Sequence, residues 1–177
     1  MVWQLSDSCD PEARAIADRH YNRQSIGATK FTPPGRCLVL KAITGPAFWV
    51  TSWPFKEYVR HAWGGAWVCS AFRNEGAGLS SELIVQAIAA TKWKYGNPPD
   101  LGMITFVDPC KVRRKRDFGR CFRKAGFVDA KCPAHAKQEK DCAACESKTK
   151  SGKIALQLFP CDMPEAEPPM EVQLVLF

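Results

Sequence analysis

One passage limits the fold more than any other. Residues 66–72, AWVCSAF, read as a central strand, and the turn RNEGAG from Arg73 to Gly78 leads from it directly into a helix-forming run. In that run Leu83, Ile84, Ala87, Ile88 and Thr91 share one face, and Gly96-Asn97-Pro98-Pro99 ends it. Residues 101–107, LGMITFV, form an unbroken apolar stretch typical of a strand covered on both faces, and Asp108-Pro109 stops it. Strand, tight turn, helix and buried strand in this order predict a layered α/β domain.

The rest of the chain fits around this unit. Asp10-Pro11-Glu12 opens a helix with a side-chain cap and a proline in the first turn. Ala13, Ile16, Ala17 and His20 follow at helical spacing, which predicts His20 on the inward stripe of that helix, with Tyr21 beside it. Residues 22–36 read as a loop, 37–44 and 47–53 as a hairpin joined by Gly45-Pro46, and 54–64 as irregular. A short helix over 118–125 closes on Gly126, and 154–159 is a last strand. Residues 132–152 are polar and cysteine-rich and read as an insertion, and VQLVLF at 172–177 is either a closing strand or a loose extension. The expectation is one mixed α/β domain over 1–177, without repeats.

With 46% hydrophobic and 24% charged residues the chain has material for one full core. No run of 18 apolar residues appears, so nothing is expected to span a membrane, and the first residues lack a secretory pattern, which predicts a cytoplasmic protein. Nine cysteines, an odd number, favour buried thiols or metal ligation over disulfides. The net charge of +7 is uneven: residues 160–177 hold four acids and no Lys or Arg, so the body is more basic still and suits a polyanionic partner.

Three motifs carry chemistry. In the turn, Arg73, Asn74, Glu75, Gly76, Ala77, Gly78 and Leu79 offer consecutive backbone N–H groups at the positive end of a helix, with a permanent cation ahead of them. A phosphate is the natural occupant; the alternative is glycines that merely turn the chain. Neither a Walker loop nor a dinucleotide fingerprint fits the spacing. In CPAHAKQEKDCAAC, Cys132 and His135 form one knuckle and Cys142 and Cys145 a second, the ligand set of a structural zinc site, against the alternative of free thiols in a disordered insertion. KVRRKRDFGRCFRK, residues 111–124, has eight basic residues and one acid; Lys111, Arg113, Arg114, Lys115 and Arg116 can track a phosphate backbone or form a solvated face.

RNEGAGLSSELI resembles the pyrophosphate loop of the GCN5-related N-acetyltransferase fold, and CFRKAGF at 121–127 resembles that fold's late helix. The resemblance implies an acetyltransferase-like mixed sheet flanked by helices, and acetyl-CoA or a related acyl-CoA on the loop. More narrowly, ADRHYNRQ, FRNEGAGLSSELI, FVDP and CFRKAGF together resemble the Mom family of bacteriophage DNA-modification proteins. That likeness implies double-stranded DNA as partner, conversion of adenine to N6-carbamoylmethyladenine as a shield against restriction, and action in the host cytoplasm. It also implies His20, Tyr21 and Asp108 as the catalytic set. Asp108 follows the carboxyl end of a buried strand, where α/β sheets place ligands, and a histidine beside a carboxylate can move a proton near neutral pH. The same His and Asp can instead ligate iron, which the resemblance also raises. The bland alternatives are a satisfied core histidine and a simple Asp-Pro turn.

Two rival functions remain open at this level. One is an ordinary acyl-CoA N-acetyltransferase acting on a small amine or protein, and the other a non-catalytic, zinc-containing nucleic-acid-binding module.

Overall fold

The computed structural model describes residues 1–59, 61–112, 117–131 and 152–170. Seven strands and three α-helices follow one another as β1 (Trp3–Ser6), α1 (Pro11–Ala17), β2 (Arg36–Ala42), β3 (Ala47–Trp53), β4 (Trp67–Asn74), α2 (Ser80–Tyr95), β5 (Met103–Val107), α3 (Arg120–Lys124), β6 (Val128–Asp129) and β7 (Ile154–Leu158). All seven strands join one mixed sheet in the order β1-β2-β3-β4-β5-β7-β6. β4 and β5 run parallel, joined through α2, and every other neighbouring pair is antiparallel.

Alternation along the strands loads both faces. Leu38, Leu40, Trp49, Trp67, Cys69 and Leu156 point to the α2 side and meet Leu83, Ile84, Ala87 and Ile88. Each large side chain buried there contributes about 1.5–3 kcal/mol. Thr51 and Thr91 hydrogen-bond at 2.9 Å between β3 and α2, so these two buried hydroxyls are satisfied. On the other face Ala13, Ile16 and Ala17 of α1 pack on Val39, Phe48 and Val50. Gly102 precedes β5 with φ +62°, and a Cβ there would stand 2.0 Å from the Leu158 carbonyl oxygen. Only glycine allows the start of β5 to lie this close to the end of β7.

Two irregularities shape the middle of the sheet. The β3–β4 register runs Val50↔Ala71 and then Thr51↔Cys69, so Ser70 is an extra residue and β4 bulges there. The β4–β5 ladder ends at Cys69↔Thr105, although β4 continues to Asn74 and β5 to Val107. Beyond that point the two strands part.

Several sequence expectations need correction. The first helix ends at Ala17, and His20 lies in the turn after it rather than on its stripe. The Arg23 Nε donates to Asp18 at 2.6 Å and the Gly27 N–H to the same carboxylate at 3.1 Å, which turns the chain away from the helix axis. β1 and β6 were not expected. The late helix spans Arg120–Lys124, shorter than predicted. Residues 113–116, 132–151 and 171–177 lie outside the described residues, and with them the Arg113–Arg116 part of the basic run, the Cys132/His135/Cys142/Cys145 set and the 172–177 strand. Among the described residues no helix is long and apolar enough to cross a membrane.

Candidate active site

A cavity of about 370 Å³ occupies the gap between the parted ends of β4 and β5. Ser70–Asn74 form one wall and Thr105–Val107 the other. His20 and Tyr21 enter from the turn after α1, Ser80 from the start of α2, and Cys121 and Phe122 from α3. Of the predicted site residues, His20, Tyr21, Arg73, Asn74 and Lys111 line this cavity.

His20 is buried, and its ring stacks on Tyr21 with centroids 4.5 Å apart. The Asn22 N–H donates to Nδ1 at 3.2 Å, which assigns the ring proton to Nε2. Burial, and then the Arg73 charge, hold the imidazole down to about 4, while a hydrogen bond to the Phe72 carbonyl pulls the other way. His20 is thus a neutral donor at physiological pH whose basic nitrogen is already engaged. That geometry argues against a general-base role and for one in positioning Tyr21.

Burial holds the Tyr21 phenol above its ordinary range; the Asp108 N–H, which donates to its oxygen, opposes this, and the Cys69, Asp108 and Cys121 side chains add to it. Tyr21 therefore stays protonated, its oxygen held just past the end of β5. Asp108 follows β5 directly, and its Oδ1 accepts from the Cys110 N–H at 3.0 Å. The structure brings His20, Tyr21 and the Asp108 backbone together; the Asp108 carboxylate faces its own turn.

The glycine turn is more self-contained than its sequence implies. The Gly76 and Ala77 N–H groups donate to Asn74 Oδ1 at 3.0 and 2.9 Å, and Asn74 Nδ2 donates to the Gly78 carbonyl and the Ser80 hydroxyl. Gly76 (φ +120°) takes a backbone conformation that glycine tolerates. These two N–H groups, expected to hold an anion, are engaged within the turn. The helix itself remains open: α2 has no side-chain cap, and the Gly78, Leu79, Ser80 and Ser81 N–H groups take no acceptor among the described residues. These four donors, with Ser80 at the cavity wall, are where a phosphate fits. Arg73 is held too. Its Nε donates to Glu75 and one terminal nitrogen to the Arg19 carbonyl, both at 2.6 Å, and Glu75 also pairs with Arg19. Hydrogen bonding from Arg19, and then from Arg73, holds the Glu75 carboxyl down to about 2.

Cys69, which is also part of the core, and Cys121 line the cavity as well, and burial pushes the Cys69 thiol far up. Cys121 sits inside CFRKAGF, which was the available signal. Among the described residues no group of three or more His, Cys, Asp and Glu side chains is placed to hold a metal ion, so His20 and Asp108 have no third ligand there for iron.

A second, wider cavity of about 740 Å³ lies on the sheet face opposite α2, between β3, β4, the 22–34 loop, the 54–59 segment and His61. It shares His20, Asn22, Ser70 and Ala71 with the first.

Compared with known proteins, the chain matches no family, no curated protein and no solved structure.

Proposed function

We propose that this protein is a group transferase of acetyltransferase-like fold that modifies the N6 amine of adenine in DNA, with N6-carbamoylmethyladenine as product and protection from restriction as its use. The observation that carries the reading is the parting of β4 and β5 over a cavity that reaches the uncapped start of α2 and holds Tyr21 in its wall. The strand order, the parallel β4–β5 pair and the bulge in β4 support an acetyltransferase-like fold. The motifs of the sequence support the adenine substrate.

A CoA-type ligand would present an anionic handle to the Gly78–Ser81 N–H groups. Tyr21, protonated and fixed by the Asp108 N–H, donates a proton to charge that develops at the reacting centre. His20 holds the Tyr21 ring by stacking. Arg73 closes the turn against α1. Among the described residues neither cavity has an Asp or Glu in its lining. That wall repels no phosphate and offers nothing to a cationic amine, which favours DNA over the small-amine alternative.

Mass spectrometry of nucleosides from the DNA of cells expressing the protein is the test. A modified adenine, absent from cells expressing Tyr21→Phe, is the expected result. Unmodified DNA, together with acetylated protein or polyamine, would transfer the enzyme to the ordinary N-acetyltransferase class.

A further inference from the structure

The wider cavity has no part in the transfer described so far, and its wall is unusual. Phe48, Val50 and the Ser52–Ser70 hydroxyl pair, 2.6 Å apart, form its floor. Lys30 and Lys153 line it as cations that pair with no acid among the described residues, whereas Arg23 is held by Asp18 and the Ala28 carbonyl. At its rim Tyr58 is 78% exposed and, edge to face at 6.5 Å, meets Phe55, which is 60% exposed. Two adjacent large rings left in water forgo the free energy of burial that each would gain against a partner. Cations together with open ring faces are the combination that binds nucleic-acid strands, since every base presents a face for stacking. An acidic peptide would use the cations and leave the rings bare.

We propose that this cavity receives the acceptor nucleotide: an extruded base enters it, Phe55 and Tyr58 stack on the bases beside the gap, and Lys30 and Lys153 face the phosphates. The proposal rests on the transferase reading in one respect. The amine of the bound base meets the donor across Ser70 and Ala71, which belong to both cavities. A volume of about 740 Å³ accommodates a nucleotide-sized ligand. Glu57 lies between the two rings in sequence and does not line the cavity.

The probe is a fluorescein-labelled duplex, fully paired or with one central mismatch, titrated by anisotropy. Extrusion costs less at a mismatch, so the wild-type protein binds that duplex more tightly. Tyr58→Ala and Phe55→Ala each weaken both duplexes about tenfold, the value of one stacked base. Lys30→Glu and Lys153→Glu each lower the salt dependence by about one unit of slope or more. Acetyl-CoA affinity by calorimetry stays at the wild-type value in all four, because none of these residues lines the smaller cavity. Undiminished duplex affinity in both aromatic variants overturns the proposal. Polyglutamate bound with equal sensitivity to Tyr58→Ala overturns it as well, in favour of an acidic protein. The transferase reading fails separately: wild-type protein with no CoA-ester affinity and no modified nucleoside, yet with duplex binding lost in the aromatic variants, removes the transfer and retains the surface.

Discussion

The two cavities share a rim and are built on opposite principles. In the smaller one the inner polar side chains are already engaged: Arg73 with Glu75 and the Arg19 carbonyl, Asn74 with its own turn, His20 with the Asn22 N–H. What it offers a ligand is backbone N–H groups, one fixed phenol and, at its edge, the exposed Lys111 and Arg120 cations. The wider one keeps Lys30, Lys153, Tyr58 and Phe55 available at its wall and rim. The first is organised before any ligand arrives, which lowers the cost of binding. The second recognises through side chains that order on contact. Single substitutions should therefore act on the first by dismantling a network and on the second by removing one contact at a time.

The largest expected effect tests the network. Asn74→Ala removes the acceptor of two N–H groups and the donor to Gly78 and Ser80, and should cost about 2–4 kcal/mol of stability at about 0.5–1 kcal/mol for each of these exposed or half-buried hydrogen bonds. CoA-ester binding by calorimetry should disappear. Retained affinity would mean that the turn is not preorganised by Asn74 and would erase the contrast.

Tyr21→Phe comes next. It removes the phenol and keeps the stacked ring, so stability should change by no more than about 1 kcal/mol while adenine modification falls about 100-fold or more. Asp108→Asn sharpens this result, because its amide oxygen can still accept from the Cys110 N–H. Any loss of modification in that variant reports the missing charge rather than a broken turn.

The third effect is one of pH. The folded-state pKa of His20, about 4, lies below its ordinary value, so the folded protein binds fewer protons than the unfolded chain between about pH 4 and 6.5. Its contribution, on the order of 2–3 kcal/mol, is present above pH 6.5 and lost as the pH falls towards 4. His61, also lowered by burial, adds in the same direction. Denaturant midpoints for the wild type and His20→Gln should converge on acidification. A rate inflection near pH 6.5 that His20→Gln abolishes would instead identify His20 as a base and contradict its engaged Nδ1. The smallest effect concerns Lys111, exposed at the edge of the smaller cavity. Lys111→Ala should lower the salt dependence of duplex binding by about one unit of slope, with the same loss on every sequence.

Much of this was legible in the chain. The faces of α2 and the hairpin of β2 and β3 follow from apolar spacing, and the buried β5 from LGMITFV. The four-residue β1 was not, because WQLS is too short to show a period, although Trp3 is fully buried and its Nε1 donates to the Leu83 carbonyl. The end of α1 depends on Asp18 pairing with Arg23 and Gly27, contacts that no helical pattern encodes. Asn74 taking up the turn's N–H groups was readable in principle, since an asparagine two residues before a glycine commonly hydrogen-bonds its own backbone. Tyr21 reaching Asp108 was expected only through the family resemblance. The Tyr58–Phe55 rim carried no signal in sequence, because exposure is a property of the finished surface.

The extra residue at Ser70 gives β4 a parity. Cys69 and Phe72 both reach the α2 layer, and Ser70 and Ala71 between them both face the other way. Every position after the bulge is thereby displaced by one step from simple alternation, which sets Arg73 towards Arg19 and leaves Asn74 to close the turn into α2. A deletion of Ser70 would restore an even count, and the strand would then have to exchange the places of Arg73 and Asn74 or slip its pairing with β3. The spacing between the strand and the glycine turn is therefore fixed as odd or even, not merely as long or short, and an insertion of two residues should be better tolerated there than the loss of one.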